Sequence, residues 1–291
     1  MEIEAAGTAL AFMGLILFWH CGPRRLMSLL YSMFSWRINL IWTAGMPHRY
    51  KWRYVSKQQS DDSSETEKEH VGVTEEDLKM LLAYINEKDG GSPWNLMMDN
   101  STSTLSFRVW RRDSEFGPTQ YRSLAIFENM EPELLRDFFW DDDFRTKWDD
   151  MLVYFRKLRE YSDTGTVILH WIRKFPVFGS PREYIIGRRL WVSGSTYYCV
   201  SKSLPFPGTP RSQRPKRANP YYSSWRIRAV ESRNGGQSTA SEVLVFHFED
   251  MGIQNMLVKI GIQREMWKLI NKLEQGLRSY KISRLNRVPS S

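Results

Sequence analysis

The sequence predicts an α+β fold in which one curved antiparallel sheet wraps around a long C-terminal helix. Three observations predict it: a short amphipathic helix comes first, nine strand-like runs follow at hairpin spacing, and the C-terminal segment has helical periodicity. Elements in this order pack most simply as a sheet that carries helices on its faces. Of the 291 residues, 42% are apolar and 14% aromatic, which is enough to form the core of such a domain.

The first 57 residues are predicted to form a membrane anchor. Residues 5–22, AAGTALAFMGLILFWHCG, contain no charged side chain, and about 18 such residues are just long enough to cross a bilayer as a helix. Arg24 and Arg25 follow at once, so the positive-inside rule places the C-terminal side of this single span in the cytoplasm. A cleaved signal peptide would begin with basic residues, whereas Glu2 and Glu4 come first here.

The span is followed by a second apolar-aromatic run and then by a polar segment. Residues 26–42 contain Arg37 and Asn39, which favours an interfacial amphipathic segment over a second span, with a buried core helix as the alternative. Basic and aromatic residues alternate from there to Lys57, which is typical of an anchor at the headgroup level of an anionic leaflet. Residues 58–72 are acidic and lack aromatic residues, which predicts a disordered linker.

The rest of the chain is predicted to form one domain, residues 73–285, with residues 286–291 as a tail. Its first helix begins in TEEDLKMLLAYINE, where Thr74 is a suitable N-cap. The strand-like runs then extend to SEVLVFHFED, interrupted by the helical segment PELLRDFF, in which Pro132 stands where a helix can begin. The long C-terminal helix carries one apolar stripe, formed by Met266, Ile270, Leu273 and Leu277.

The cysteine content indicates the compartment of the domain, and the net charge indicates the kind of partner. Cys21 and Cys199 are far apart in the sequence, which excludes a disulfide framework and fits a domain that faces the cytosol. The net charge of +8 is compatible with an anionic membrane as partner. The basic loop at residues 208–220 is interpreted as a solvated loop, with docking to anionic lipid as the alternative, and no nucleic-acid partner is expected.

Sequence motifs of catalysis are not found. The chain contains no phosphate-binding glycine loop or nucleophile elbow, and its histidines lack metal-ligand spacing, so we expect no cofactor, no metal and no enzyme activity. His247, in VFHFED, is interpreted as a core or pocket-lining residue, and a catalytic base is the alternative.

The stretch FFWDDDFRTKWDD, residues 138–150, combines acidic and aromatic side chains. The three consecutive aspartates point in different directions, so a metal site is disfavoured, and a helix break with a new cap is the simpler interpretation. Arg145 and Asp149 are four residues apart. If this stretch is helical they share a face, and an exposed ion pair of a few tenths of a kcal/mol is one interpretation of them.

Four segments of the chain carry a resemblance to a known family. FFWDDDFRTKWDDM, WIRKFPVFGSPREYIIGRR, YYSSWRIRAVES and FHFEDMGI occur in the same order as in the START domain, the lipid transfer domain related to the steroidogenic acute regulatory protein. The chain resembles the phosphatidylcholine-transfer branch and the membrane-anchored plant members, over most of residues 75–282. The resemblance implies a helix-grip fold whose C-terminal helix closes a hydrophobic tunnel over one lipid.

The resemblance also implies where the lipid headgroup binds. In the phosphatidylcholine-binding members, an arginine and an aspartate of an R-x-x-W-D motif face the headgroup, and Arg145 and Asp149 in RTKWD hold these positions. Arginine suits this role because its planar guanidinium can bind phosphate through two hydrogen bonds and stays charged when buried.

The same relatives surround choline with aromatic rings, which attract a quaternary ammonium through their π faces. Trp171 and Tyr184 match two of those rings, and both share a strand face with apolar residues. The position of the third ring falls on Ser224, whereas strand alternation turns Trp225 inward. Ordinary core aromatics are the alternative interpretation.

The expected function is therefore binding, and possible transfer between membranes, of a single lipid by a membrane-tethered protein. A phospholipid is the favoured ligand and a sterol a possible one. Two alternatives stay open: a sensor or scaffold that responds to lipid occupancy without transfer, and a cyclase-like enzyme on the same fold.

Overall fold

The computed structural model of the protein describes residues 72–115, 117–175, 180–209, 214–235, 239–251 and 255–286, with side chains from residue 266 onward in the last range. All of them belong to one compact unit, Glu67–Ser291. The predicted anchor lies outside the described residues, as do the linker except Gly72 and the tail except Asn286. Among the described residues, no helix is both long and apolar enough to cross a membrane.

The described residues form four helices and ten strands, in the predicted order of helix, strands, helix, strands and helix. The helices are α1 (Glu75–Ile85), α2 (Pro132–Trp140), α3 (Asp142–Arg145) and α4 (Asn255–Leu285). The strands are β1 (Asn95–Ser101), β2 (Leu105–Arg112), β3 (Gln120–Glu128), β4 (Leu152–Tyr161), β5 (Thr166–Arg173), β6 (Arg182–Ser193), β7 (Thr196–Ser203), β8 (Lys216–Arg217), β9 (Tyr221–Glu231) and β10 (Thr239–Glu249).

The strands form one sheet in the order β1-β2-β3-β10-β9-β7-β6-β5-β4, with every neighbouring pair antiparallel. The nine predicted strand runs all fall on strands of this sheet, so the predicted α+β class and curved antiparallel sheet are confirmed. The short β8, which pairs parallel with β6, was not predicted. It lies in the basic loop, where Arg217 donates to Glu183 at 2.9 Å, so this part of the loop is not simply solvated.

Alternating residues divide the sheet into two faces. The inner face packs against α2, α3 and α4 and includes Val109, Cys199, Trp225 and Ile227. The outer face is covered by α1, whose Leu81 is fully buried among outer-face residues of β7, β9 and β10. The two faces therefore bury separate sets of apolar side chains, and only the inner one has the long C-terminal helix above it.

Local interactions fix α1 in place, as its sequence indicates. The Asp77 carboxylate accepts a hydrogen bond from the backbone N–H of Thr74 at 2.8 Å, which completes the capping box. The same carboxylate accepts from Lys202 of β7 at 2.7 Å. One aspartate thus both begins the helix and joins it to the sheet.

The long helix α4 approaches the chain after α3 unusually closely. The stripe that the sequence predicts packs into the inner core: Ile270 and Leu277 are buried, and Met266 and Leu273 pack beside them. Next to Leu277, a Cβ atom at Gly276 would lie 2.8 Å from Cγ of Trp148. The glycine allows the helix to lie directly on the indole ring.

We expect Gly276→Ala to destabilise the protein, although alanine is the better helix former. Helix propensity alone would stabilise by about 1 kcal/mol, but displacing Trp148 in a packed core costs about 1–3 kcal/mol. Urea denaturation measures the difference. Ser279→Ala, at an exposed position of the same helix, is the control and should change stability by less than about 0.5 kcal/mol. A stabilised Gly276→Ala protein would contradict the close contact.

On the outer face, Glu242 of β10 is held by two arginines of β9. Arg226 donates to its carboxylate at 2.6 Å and Arg228 at 2.9 and 3.1 Å. Burial would raise the pKa of the Glu242 carboxyl, but the hydrogen bonds from Arg228 and Arg226 outweigh it and hold the pKa below its ordinary value of 4.5. The ionised carboxylate therefore stabilises the folded state above that pH, and this contribution is lost as the pH falls through the lowered pKa.

Glu242→Gln should accordingly lower the free energy of unfolding by about 1–3 kcal/mol near neutral pH. The difference from the wild type should shrink as the pH falls from about 4.5 through the lowered pKa, because the glutamate of the folded protein then becomes protonated as well. Urea denaturation across this pH range checks the prediction, with the exposed Glu231→Gln as control. A deficit independent of pH would show that the charge is not responsible.

Candidate functional site

The acidic stretch forms a very short helix that places Arg145 on the inner face of the sheet. The Asp141 carboxylate accepts a hydrogen bond from the backbone N–H of Phe144 at 2.8 Å and thereby caps α3. This is the helix break with a new cap that the sequence predicts. Helix α3 contains only four residues and ends at Arg145. The residues that follow form turns before β4 begins.

This geometry excludes the exposed ion pair considered for Arg145 and Asp149. Asp149 is buried and the Arg145 side chain is only 15% exposed, and in the described part of the chain the two do not pair with each other. Arg145 donates from Nη2 to the backbone oxygen of Phe139 at 2.8 Å. Asp149 accepts from Arg173 at 3.3 Å and from the backbone N–H of Met151 at 3.2 Å. Because α3 ends at Arg145, the two side chains do not follow one helical face.

A buried ion pair fastens α3 to β6. Arg188 donates from Nη1 and Nη2 to the two carboxylate oxygens of Asp142, at 3.1 and 2.6 Å, and also to the backbone oxygen of Trp140 at 3.1 Å. Its guanidinium lies 4.2 Å from the Trp140 ring centroid. Sequence reasoning missed Arg188, although two-residue spacing places it on the same face of β6 as Tyr184 and Ile186.

Sequence reasoning also missed Arg173, at the end of β5. It continues the inward series of Val167, Leu169 and Trp171, and it lies beside Asp149. Burial alone would lower the pKa of Arg173, but the nearby charge of Asp149 raises it above its ordinary value. The guanidinium is therefore held firmly in its charged form.

Arg145 lies among these charges. Burial lowers the pKa of Arg145, and the charges of Arg188 and Arg173 act in the same direction against those of Asp142 and Asp149. Arginine nevertheless keeps its proton at physiological pH. Around α3 the site thus contains three arginines, of which Arg188 is buried and Arg145 and Arg173 are 15% exposed, and two buried aspartates. Three positive and two negative charges leave one excess positive charge within this group.

Aromatic side chains on neighbouring strands extend the site away from Arg145. The guanidinium of Arg145 lies 5.4 Å from the Trp171 ring centroid, within cation–π range. Trp171 of β5 is the cross-strand partner of Tyr184 of β6. The Tyr184 ring in turn lies 5.3 Å from that of Tyr221 in an edge-to-face contact. The structure therefore brings Arg145, Trp171 and Tyr184 together, as the sequence analysis expects.

Trp225 points inward, in agreement with strand alternation, but it belongs to the neighbouring core cluster. Its ring lies 6.1 Å from that of Phe139, and its side chain is buried with Cys199 and Ile227. Ser224 points to the other face, where its hydroxyl accepts from the backbone N–H of Ser201 at 3.3 Å.

At the far end of the aromatic row, β10 contributes a histidine and a glutamate. Nε2 of His247 lies 3.5 Å from Oε1 of Glu249, and the His247 ring is 5.8 Å from that of Tyr221. Burial would raise the pKa of Glu249, but the contact with His247 and the charge of Arg173 hold it below its ordinary value. His247 is thus partly exposed on the inner face, beside Glu249.

Several buried polar atoms of this site have no hydrogen-bond partner among the described residues. They are Nε of Arg145, Arg173 and Arg188, and Nε1 of Trp148 and Trp171. The Tyr184 hydroxyl and the Glu249 carboxylate interact with each other. Buried polar atoms in folded proteins are normally paired, because leaving one unpaired costs about 1–3 kcal/mol. Unpaired atoms of the same kind also occur outside the site, for example in Arg189 and Tyr222, so the charged groups distinguish this region more clearly than its unpaired atoms do.

The fold, an antiparallel sheet with a long C-terminal helix over its inner face, is that of START domains. Human STARD10 superposes with a TM-score of 0.56 at 19% sequence identity, over 73% of this chain and 84% of that one. Human StAR-related lipid transfer protein 5 superposes equally well, with a TM-score of 0.56 at 16% identity, over 71% and 97% of the two chains.

Sequence comparison points to the same class of protein, lipid transfer proteins related to StAR. The chain is 29% identical over 168 residues to the phosphatidylcholine transfer protein of Rattus norvegicus. The match covers 56% of this chain and 73% of that protein. It is 28% identical over 148 residues to the mitochondrial StAR-related lipid transfer protein 7 of Mus musculus. That match covers 50% of this chain and only 39% of the relative. No family model matches the chain. The resemblance to START proteins is thus confirmed.

We expect Asp142→Asn to destabilise the domain by about 3 kcal/mol or more, because it leaves the Arg188 guanidinium buried without its counter-charge. Asp143→Asn, at the adjacent exposed position, is the matched control and should be nearly neutral. Chemical denaturation of both variants measures the difference. Equal effects of the two substitutions would contradict the structural role of the buried pair.

Proposed function

We propose that this protein binds one phospholipid on the inner face of the sheet and carries it between membranes. The observation that supports this most directly is the group of buried charges around Arg145, with its excess positive charge and its unpartnered polar atoms. A sterol offers one hydroxyl group to such a surface, whereas a phosphodiester offers a full negative charge and several acceptor oxygens. The relatives named above are lipid transfer proteins, which favours binding over catalysis.

The residues singled out from the sequence have distinct roles in this proposal. Arg145 binds the phosphate, and Asp149 acts through Arg173, which it holds in position. Trp171 and Tyr184 border the headgroup with their ring faces. Trp225 contributes to the apolar surface that receives the acyl chains beneath α4.

We further propose that the N-terminal segment tethers the protein to a membrane, with the START-like domain on the cytosolic side. The charge-free run at residues 5–22 and the arginines that follow it support this topology. Protease treatment of intact microsomes that contain a C-terminally tagged protein tests it. Digestion of the domain is expected, and protection would place it in the lumen instead.

Transfer and sensing are separated by kinetics. A transfer protein exchanges its lipid between donor and acceptor vesicles, whereas a sensor retains it. Exchange requires α4 and its neighbouring loops to open, since the helix covers the inner face. Rapid exchange of a fluorescent phospholipid between two vesicle populations is therefore expected, and tight binding without exchange would favour the sensor.

Arg145→Ala should reduce capture of phospholipid by about 10- to 100-fold, the range for loss of hydrogen bonds to a charged group. Capture of cholesterol, which has no phosphate, should change much less. Lipid retained by the full-length protein after exposure to vesicles is measured by extraction and mass spectrometry. Lys147→Ala, an exposed cation two residues away, is the control. Equal losses for both lipids in a folded protein would eliminate the headgroup role of Arg145.

A further inference from the structure

In the described part of α4, polar contacts add to the apolar stripe that packs on the inner core. Lys272 pairs with Asp150 in the turn before β4, and Arg284 pairs with Asp137 of α2. Both pairs are open to solvent, since the Lys272 side chain is 49% exposed and that of Arg284 51%. Exposed ion pairs contribute little, because water and salt compete with them. These two pairs are therefore weak ties between the helix and the rest of the domain.

A third polar contact joins α4 to the turn between β1 and β2 and is better shielded. The Thr104 hydroxyl donates to a carboxylate oxygen of Glu274 at 2.6 Å. Arg278 donates from Nη2 to the same oxygen at 2.7 Å and to the Thr104 hydroxyl at 3.0 Å. The Glu274 side chain is only 15% exposed, so water competes little for its carboxylate. Thr104, Glu274 and Arg278 thus form a closed network, which is named the α4 latch.

The sheet fixes the position of Thr104 within this latch. The backbone oxygen of Thr104 accepts a hydrogen bond from the backbone N–H of Glu128 of β3 at 2.9 Å. Its backbone N–H donates to the Thr102 hydroxyl at 3.3 Å, inside the turn. Thr104 therefore belongs to the sheet, whereas Glu274 and Arg278 belong to the helix. Any motion that lifts this part of α4 from the sheet must break both hydrogen bonds to the Thr104 hydroxyl.

The low exposure of Glu274 makes the latch sensitive to the side chain at position 104. A hydroxyl donor stabilises the carboxylate. An apolar side chain in its place removes that hydrogen bond and leaves Arg278 as the charged partner. A negative charge there would repel Glu274, because one guanidinium would then face two anions where solvent screens little. The closed position of α4 thus depends on a donor without negative charge at this turn.

We infer that the α4 latch holds the helix closed and thereby sets the rate at which a bound lipid exchanges, with the Thr104 hydroxyl as the determining group. The inference rests on the proposed function, in which exchange requires α4 to open. Thr104, Glu274 and Arg278 are positioning residues, because they hold the helix and do not bind the ligand. The latch acts on the opening step, so it changes the rate of exchange and not the choice of lipid.

The first test removes the hydroxyl with Thr104→Val, since valine has the shape of threonine without its oxygen. Exchange of fluorescent phosphatidylcholine between two vesicle populations is measured with the full-length protein. The variant should load and release the lipid about tenfold faster, the factor for one hydrogen bond to a charged group. The amount retained at equilibrium should stay within about twofold, because both rates rise together. Glu242→Gln, which weakens the fold on the opposite face of the sheet, is the control and should not accelerate exchange.

The second test changes only the charge at the latch. Thr104→Glu and Thr104→Gln introduce side chains of the same size, of which one is an anion. Exchange should be faster in Thr104→Glu, because its carboxylate repels Glu274. Ser103→Glu and Ser103→Gln are the matched controls at the adjacent exposed position and should exchange lipid at equal rates. Equal rates in the two Thr104 variants would contradict a latch that depends on the Glu274 charge.

The outcomes separate this inference from the proposed function. If the wild type exchanges phospholipid and Thr104→Val does so at the same rate, the proposed function stands and the latch is wrong. If Glu242→Gln accelerates exchange as much as Thr104→Val, a general loss of stability is the cause, and the latch is again wrong. If the wild type takes up no phospholipid, the proposed function fails and the inference fails with it. Faster exchange in Thr104→Val alone, with retention unchanged, supports both.

Discussion

The buried pair between Asp142 and Arg188 is the interaction on which the rest of the site depends. A four-residue helix has little stability of its own, so α3 needs a tertiary contact to hold its orientation. The two hydrogen bonds from Arg188 supply that contact and fasten α3 to β6 in the middle of the inner face. Arg145, the last residue of α3, is thereby aimed at Trp171 instead of at solvent. Strand β6 thus determines where Arg145 lies.

Helix α4 covers the region around α3 from the side opposite the sheet. Gly276 lets α4 rest directly on Trp148, which stands between Arg145 and Asp149 in the sequence. Trp148 also stacks on Phe138 of α2, with ring centroids 5.1 Å apart. The turn that carries the charged residues is consequently held between two helices and the sheet. Opening of α4 would release this turn, so entry of a ligand and rearrangement of the charged residues are physically coupled.

Strand periodicity made most of the fold predictable, because one buried face imposes alternation on every strand. The inward orientation of Trp225 followed from that rule alone, against the position suggested by alignment. The same rule would have placed Arg173 and Arg188 on the buried face, but charged residues are ordinarily assigned to solvent. The pairing of Arg145 could not be predicted, since four-residue spacing is informative only if the helix continues. Helix α3 ends at Arg145, with Thr146 as its C-cap, and Asp149 pairs with Arg173, a residue distant in sequence, instead of with Arg145.

Stability alone does not explain why these charges are buried. Replacing a buried ion pair by apolar residues of similar volume is often neutral or stabilising, since desolvation offsets the attraction between the charges. A purely structural inner face would therefore be expected to be apolar, as it is around Val109 and Ile227. Here unpaired nitrogen donors of arginine and tryptophan side chains remain beside the ion pairs. A ligand that supplies complementary charges would recover the cost of desolvation in the complex, so the proposed phospholipid site offers a physical reason to retain them.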